Sequence, residues 1–299
     1  MRALFLFTPP ESKRLIGKAV AALEEVKRAK VKSRLLIGHG STNVYVAEEV
    51  LGKQKFGKIL DRNAYLSGVI QRGTLCTIPS EEKPAILVLN RGVVEPPALT
   101  MAALLKDFDP DSIFIKGANA VDAERNAAVM VAHPEGGTIG WAIGTLWARG
   151  IRLIVPVGLE KLVPSVRKAV ELCGQQTLDY CEGLKVGMIP LTGAKVITEI
   201  ESLKILAGVD AFHVASGGNA GSEGGVTLVA EGEPRIIEKA IQVVKSIKGE
   251  PPLKPRKPKC EVCILFSPAQ TEEERKKGVR HTCLYASKKD ADLPAYLRK

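Results

Sequence analysis

The residues with the clearest chemical potential lie in a glycine-rich segment near position 40. A short apolar run at 34–38 precedes this segment, and apolar residues at helical spacing follow it from 41 to 51. Glycine lets the backbone approach a ligand closely, and the free amides at the start of a helix can bind an anion. The sequence therefore predicts a phosphate-binding loop or, alternatively, a tight turn with a capping serine. The residues of this 38–43 loop are Gly38, His39, Gly40, Ser41, Thr42 and Asn43.

A second loop with polar side chains follows the apolar run at 112–116. Lys116 supplies a cation, whereas Asn119 and Asp122 can form hydrogen bonds with hydroxyl groups. Ligands of open α/β sheets bind beyond the carboxyl ends of the strands, so we expect this loop and the 38–43 loop to line one crevice. The same short polar side chains would also stabilise a simple turn.

A third loop comes before a glycine-rich helix expected at 136–149. Glu135 is a candidate base or nucleophile, and His133 is a candidate acid or base. Gly136 and Gly137 would let the backbone approach a bound substrate. The alternative role of Glu135 is to complement the positive end of the helix dipole.

The first two loops resemble those of a known superfamily. The Gly-His-Gly-Ser-Thr loop and the later Gly-Ala-Asn-Ala-Val-Asp segment at 117–122 are similar to loops of ribose-5-phosphate isomerase, glucosamine-6-phosphate deaminase and the CoA-transferases. Residues 112–126 resemble both the isomerase segment Asp-Gly-Ala-Asp-Glu-Val-Asp and the CoA-transferase segment Gly-Ala-x-Gln-Val-Asp with a later Gly-Asn, with Asn126 in the asparagine place. The resemblance covers residues 30–160 by motif. It implies that the 38–43 loop holds the phosphate of a sugar phosphate.

Two departures from the superfamily patterns affect the activity that the resemblance implies. Asn119 and Ala120 stand where the isomerase segment has acidic residues. The segment 135–140 is similar to the CoA-transferase nucleophile segment Glu-Asn-Gly-x-x-Gly, but it follows the Gly-Ala loop instead of preceding it. Neither activity is therefore transferred directly from the resemblance.

Two hypotheses about function follow from these loops. The first is an enzyme of the isomerase or transferase type that acts on a phosphorylated sugar or a CoA-linked metabolite. In that enzyme Glu135, His133 and Asp122 would be catalytic, and Lys116, Asn119, Gly136 and Gly137 would bind the substrate with the 38–43 loop. The second is a non-catalytic metabolite-binding or sensor protein on the same scaffold.

Soft metal ligands occur near the carboxyl terminus. Cys260 and Cys263 form a Cys-x-x-Cys pair, and His281 and Cys283 follow, which is a donor set suited to zinc. If 260–266 is a strand, however, alternation places Cys260 and Cys263 on opposite faces, which opposes joint binding of a metal. The alternative is ordinary buried cysteines. A zinc- or RNA-handling function of residues 251–299 is a third hypothesis.

Apolar runs that alternate with helical segments predict an α/β fold. Strands are expected at 34–38, 84–89, 112–116 and 152–157, and helices at 11–30, 41–51, 98–107, 136–149 and 159–172. These runs lack a period of two, which is typical of parallel strands buried on both faces, so we expect a doubly wound, mostly parallel, Rossmann-like domain over 1–183. Strands expected at 185–189, 211–215, 226–230 and 260–266, with helices at 197–207 and 234–248, predict a smaller ferredoxin-like α+β domain over 184–266. A basic tail with Cys and His follows at 267–299.

The formal net charge of +10 first suggests a nucleic-acid partner. Residues 251–299 contain 12 Lys and Arg against 6 Asp and Glu, so most of the excess lies in this last part of the chain. Aromatic residues do not interleave with these charges, so we expect an anionic small molecule and not a nucleic acid as the partner. Six cysteines without a disulfide framework, and the lack of a long apolar run, favour a cytoplasmic protein that does not contact a membrane. We also expect a homo-oligomer.

Overall fold

The computed structural model describes residues 1–79, 82–263 and 283–298. The β-strands in these residues are β1 Arg2–Phe7, β2 Arg34–Ile37, β3 Gly68–Gln71, β4 Thr74–Thr77, β5 Leu87–Asn90, β6 Val93–Val94, β7 Ile113–Ile115, β8 Ala120–Val121, β9 Ala127–Val131, β10 Arg152–Pro156, β11 Gly187–Pro190, β12 Lys195–Ile197, β13 Asp210–Ser216 and β14 Val226–Glu231. The α-helices are α1 Pro9–Ala22, α2 Glu24–Lys32, α3 Ser41–Leu51, α4 Lys53–Ile59, α5 Met101–Leu105, α6 Gly137–Arg149, α7 Val166–Leu172, α8 Glu199–Ala207 and α9 Pro234–Lys245. The chain is thus a mixed α/β protein.

A six-stranded mixed sheet forms the centre of the fold, in the order β12-β10-β7-β2-β5-β6. The first four of these strands are parallel to one another. Strand β5 is antiparallel to β2, and β6 is antiparallel to β5. Because the carboxyl ends of parallel strands meet at one edge, the loops after β2, β7 and β10 lie side by side. This edge carries the candidate site.

Both faces of the central sheet are buried, which explains why its strands show no period of two. Leu35, Ile113 and Ile154 face a core formed with α1, α2 and α3. Leu36 and Phe114 face the other core, which includes buried residues of α5 and α6. The expected helices at 41–51 and 136–149 are therefore confirmed, within a residue, as α3 and α6.

Two expected helices are each interrupted. The helix expected at 11–30 is two helices, α1 and α2, because Leu23 adopts an extended conformation with ψ of 132° and packs into the core. The helix expected at 159–172 is a short 3-10 helix, Leu159–Lys161, followed by α7. Pro164 precedes α7 and cannot continue a helical hydrogen-bond pattern, and the hydroxyl of Ser165 caps α7 by accepting from the Lys168 amide at 3.2 Å.

The ferredoxin-like arrangement expected over 184–266 does not correspond to the sheets of this region. Its strands lie in three different sheets: β11 pairs with β9, β12 joins the central sheet beside β10, and β13 pairs with β14. The third strand beside β14 is β1, from the other end of the chain. Strands from both sides of residue 183 therefore share sheets. Strand β12, for example, pairs with β10, and its side chains Val196 and Ile197 pack against the cores on the two faces of the central sheet.

The prediction of a strand at 260–266 is wrong for residues 260–263, the part of it that the structure describes. Cys260–Val262 is a 3-10 helix, and residues 264–266 lie outside the described residues, as does most of the expected tail at 267–299. The Cys263 amide donates to the Cys260 carbonyl over 3.1 Å and closes the turn, so it is not available for strand pairing. Among the described residues, no helix is both long and apolar enough to cross a membrane.

Candidate functional site

The 38–43 loop is fixed to the carboxyl ends of the parallel strands by backbone hydrogen bonds. The Gly38 amide donates to the Ile115 carbonyl at the end of β7 over 2.9 Å, and the Gly40 amide donates to the Tyr65 carbonyl over 3.2 Å. The Asn43 side-chain amide donates to the Gly38 carbonyl over 2.7 Å and closes the turn. The loop predicted from the sequence is thus held at the edge of the central sheet.

The first turn of α3 has unused donors and acceptors. Within the described parts of the chain, the backbone amides of Ser41, Thr42 and Asn43 donate to no acceptor, and Gly40 supplies no side-chain cap. Thr42 and Asn43 are 2% and 0% exposed, yet Thr42 Oγ1 and Asn43 Oδ1 have no hydrogen-bond partner there either. Asn43 Oδ1 lies only 3.7 Å from the position of a Cβ added to Gly117, so it points toward the loop after β7. Buried polar groups normally have partners, so this turn is suited to a ligand.

Two lysines approach this turn without a carboxylate partner among the described residues. Lys116 Nζ donates to the His39 carbonyl at 3.4 Å, and Lys83 Nζ donates to Ser67 Oγ at 3.0 Å. A Cβ on Gly38 would stand 3.2 Å from Lys116 Cδ, so glycine at this position leaves space for the lysine. Both ammonium groups therefore contact neutral oxygens instead of counter-ions.

A third lysine reaches the same edge from the loop after β10. Lys161 Nζ donates to the Ala118 carbonyl at 3.0 Å, and its nearest carboxylate oxygen, on Glu160, is 4.0 Å away. The buried carboxylate of Glu199, at the start of α8, accepts from the Leu159 amide at 2.9 Å and so fixes the turn that carries Lys161. Burial raises the pKa of Glu199. We call the 38–43 loop together with Lys83, Lys116 and Lys161 the lysine cradle.

The electrostatics of the lysine cradle favour the binding of an anion. Burial and repulsion from Lys161 and Lys83 lower the pKa of Lys116 to about 8. Burial also lowers the pKa of Lys83 and of Lys161. Lys116 and Lys83 thus lack a compensating carboxylate among the described residues, whereas Glu160 and Glu199 offset part of the burial of Lys161; a bound anion would supply further compensation.

His39 is a positioning residue in this loop. Burial, with repulsion from Lys83, lowers its pKa to about 3, so the ring is neutral. Its Nε2 lies 2.7 Å from the Pro84 carbonyl, which can only accept, so Nε2 carries the proton. The ring also packs on Tyr65, with 4.8 Å between ring centroids. His39 thus connects the loop to the segment that carries Lys83.

Asp122, which the sequence suggested as catalytic, serves the structure of its own loop. It is 6% exposed and accepts hydrogen bonds from the Asn126 amide at 3.0 Å and from the Val166 amide at the start of α7 at 3.0 Å. These bonds outweigh the effect of burial and lower its pKa. Asn119 has a similar role, since its side-chain oxygen accepts from the Met130 amide at 3.1 Å. Both side chains are engaged with β9 and its surroundings.

The loop at 133–137 lies at the end of β9, a strand of the small β11-β9-β8 sheet and not of the central sheet. His133 Nδ1 accepts from the Glu135 amide at 3.2 Å, and Glu135 Oε2 accepts from Trp141 Nε1 at 3.0 Å. Both side chains are exposed. Gly136 and Gly137 have φ of 80° and 55°, which favours glycine at the start of α6. Among the described residues, the side chains of His133 and Glu135 form hydrogen bonds only within 133–141. Their contacts therefore do not show the single site that was expected for them and the 38–43 loop.

The cysteines predicted to bind metal are only partly described. His281 lies outside the described residues. Cys260, Cys263 and Cys283 are of intermediate exposure. No group of three His, Cys, Asp or Glu side chains in residues 1–79, 82–263 and 283–298 is placed so that it could hold a metal ion.

Sequence reasoning missed Lys83 and Lys161. Lys161 had a usable signal, because it comes shortly after the apolar run 152–157, and Lys116 ends the apolar run 112–116. Lys83 had none, because its position depends on tertiary contacts of the segment after residue 82, such as those with Ser67 and His39. Comparison with known proteins adds no assignment: no family model, no curated protein and no solved structure matches this chain.

Proposed function

We propose that this chain binds a phosphorylated small molecule, a sugar phosphate or a CoA-linked metabolite, in the lysine cradle. The observation that carries the proposal is that Lys116, whose pKa is lowered by burial and by the nearby Lys161 and Lys83, contacts the loop before a helix start whose amides are unused. Helix starts at the carboxyl edge of parallel strands are suited to phosphate because the amides and the helix dipole both attract negative charge.

The groups of the 38–43 loop that lack partners indicate which chemical groups the ligand should carry. The α3 amides and the Thr42 hydroxyl can donate to phosphate oxygens, and Lys116 adds a charge-assisted hydrogen bond. Asn43 Oδ1 can only accept, so it suits a hydroxyl or amino group of the ligand. A phosphate ester that also carries a hydroxyl group meets both requirements.

The contacts of the candidate catalytic residues distinguish the two hypotheses, an enzyme and a non-catalytic binding protein. Glu135 and His133 bond within their own loop, and Asp122 is engaged by backbone amides, which favours the non-catalytic metabolite-binding or sensor protein over an enzyme that uses these residues. An enzyme of the isomerase or transferase type, as the superfamily resemblance suggests, would use Lys116 for proton transfer. The pKa of about 8 belongs to the site without a bound anion, so such an enzyme would hold the reacting group, and not the phosphate, beside Lys116.

A ligand panel tests this proposal. Sugar phosphates and acyl-CoAs are screened by thermal shift, and hits are measured by calorimetry, because a ligand that binds only the folded state raises its apparent stability. Lys116→Met should weaken binding, whereas Lys168→Met, on exposed α7, should not. A panel without any hit, or equal affinity in Lys116→Met, would contradict the proposal. In any active hit, Glu135→Gln should retain turnover.

Three further expectations belong to this proposal. Four parallel strands with helices on both faces support a Rossmann-like, doubly wound interpretation of the central sheet. The cysteine usage supports a cytoplasmic location. We also propose a homo-oligomer, which light scattering after size-exclusion chromatography would test.

A further inference from the structure

Two basic segments that are far apart in the chain pack side by side. Residues 53–72 contain five Lys and Arg against one acidic residue, Asp61, and residues 250–259, which we call the basic linker, contain four against one, Glu250. With nine basic and two acidic residues, the two segments together have a formal net charge of +7. We call the surface that they share the basic face.

The basic linker is held along the earlier segment by contacts at successive points. The Lys254 amide donates to Asn63 Oδ1 over 2.7 Å, and Gln71 Nε2 donates to the Pro255 carbonyl over 3.3 Å. Between them, Leu253 packs against apolar side chains of the earlier segment. The positive charges of both segments are therefore presented on one surface.

The acidic residues of the two segments neutralise little of this charge. The side chain of Glu250 is 8% exposed and pairs with Arg14, Arg62 and Lys53, whereas Asp61 is exposed. Three of the nine basic side chains pair with a carboxylate. Within the described parts of the chain the other six form no ion pair: Lys55, Lys58, Arg72, Lys254, Lys257 and Lys259.

Local structure directs these side chains outward. On α4, Phe56 is 1% exposed and faces the core, and Lys55 and Lys58 lie about 100° and about 160° round the helix from it, so both are exposed. Arg72 is exposed at the turn between β3 and β4. The basic linker contains four prolines and forms neither helix nor strand before Cys260, so its lysines are spread along an extended chain.

A partner with a regular array of negative charges is complementary to this surface. A nucleic-acid duplex carries one phosphate charge per about 1.7 Å of its axis, and Lys and Arg that neutralise these phosphates bind it whatever its sequence. Single strands are bound instead by stacking on exposed aromatic side chains. The aromatic residues of the two segments, Phe56 and Tyr65, are buried. The lack of interleaved aromatic residues thus argues against a single strand, whereas a duplex needs none.

We propose that the basic face binds the phosphate backbone of a double-stranded nucleic acid without sequence selectivity. DNA and RNA duplexes share this chemistry, because phosphate contacts carry no base information. This partner is additional to the small molecule of the lysine cradle, and it uses none of the same lysines.

Fluorescence anisotropy with labelled DNA and RNA duplexes of about 20 base pairs tests the proposal. The wild type should bind at least one of the two, and whichever binds identifies the source of the phosphates. For about four to six phosphate contacts, affinity should fall about 150- to 1800-fold between about 50 and about 200 mM salt. No binding of either duplex at low salt, or tighter binding of the matching single strand, would overturn the proposal, and so would binding to phosphatidylserine vesicles without binding to a duplex.

A matched pair of double variants locates the site. Lys55→Gln with Lys58→Gln should weaken duplex binding and reduce the slope of log affinity against log salt by about two. Arg167→Gln with Lys168→Gln, on α7 beside the small β11-β9-β8 sheet, removes the same charge and should bind as the wild type does. Equal losses in both double variants would overturn the assignment to the basic face. Lys116→Met should keep full duplex affinity, so this proposal and that of the lysine cradle fail separately.

Discussion

The affinity of the lysine cradle for a dianion should fall as the pH rises through 8. Free Lys116 has a pKa of about 8, and an anion beside it would return this pKa toward its ordinary value. Above pH 8, binding must therefore take up a proton, and each rise in pH makes this less favourable. Sulfate is the suitable probe, because its charge stays constant over this range, whereas a phosphate group still titrates near neutral pH.

The size of the effect follows from proton linkage. With a pKa of about 8 in the free site and ~10.4 in the bound site, affinity should fall roughly sixty-fold between about pH 7 and about pH 10. The lowered pKa values of Lys83 and Lys161 act in the same direction. At neutral pH, Lys116→Met should weaken sulfate about 10- to 150-fold, since hydrogen bonds to charged groups contribute roughly 1.5–3 kcal/mol.

Isothermal titration calorimetry with sulfate at constant ionic strength measures this dependence. The wild type and Lys168→Met should show the steep decline, and Lys116→Met should show a clearly shallower one. An affinity that does not change with pH in the wild type would refute the reasoning. So would the same slope in Lys116→Met, because Lys116 would then not be the group that takes up the proton.

Three further predictions concern stability, measured as the free energy of unfolding in urea. Gly140→Ala should destabilise by about 1–3 kcal/mol, because its Cβ would collide with the backbone carbonyl oxygen of Glu135. Gly144→Ala lies on the same helix, but its Cβ would point into open space, so this change should stabilise by about 0.5–1 kcal/mol. Arg14→Met should cost about 3–5 kcal/mol, because Arg14 is buried and paired with three carboxylates; Arg2→Met, which breaks an exposed pair, should cost at most about 1 kcal/mol. Asp122→Ala should lose about 2 kcal/mol or more from its amide bonds, yet leave sulfate affinity unchanged; a selective loss of affinity would restore its assignment to the ligand site.

Local sequence patterns predicted local structure well. Ser41 begins α3 and Gly52 ends it, as expected from the helical spacing and the glycine that follows. The capping pair Thr198 and Glu201, by contrast, marks a helix start that the expected 197–207 range placed two residues early. Helix starts and ends depend on residues only a few positions away, so they can be predicted from the local sequence.

The sheets were harder to predict, because pairing joins distant residues. The alternation of buried and exposed residues in β1 indicates a strand with one buried face, but it does not predict that β14 is its partner. The same holds for β12, which is only three residues long and joins the central sheet through parallel pairing with β10. Strand order depends on which apolar surfaces bury each other, and many partners satisfy the same local pattern.

The sequence by itself determined the kinds of residue available and where glycine turns meet helix starts, because backbone conformation and helix capping are local. It therefore predicted the 38–43 loop and the place of Lys116 beside it. The tertiary structure alone brought Lys83 and Lys161 near Lys116, directed Glu135 and Asp122 to other partners, and paired Leu184 with Cys283. These groupings arise from the packing of segments far apart in the chain, and no spacing along the sequence records how such segments pack.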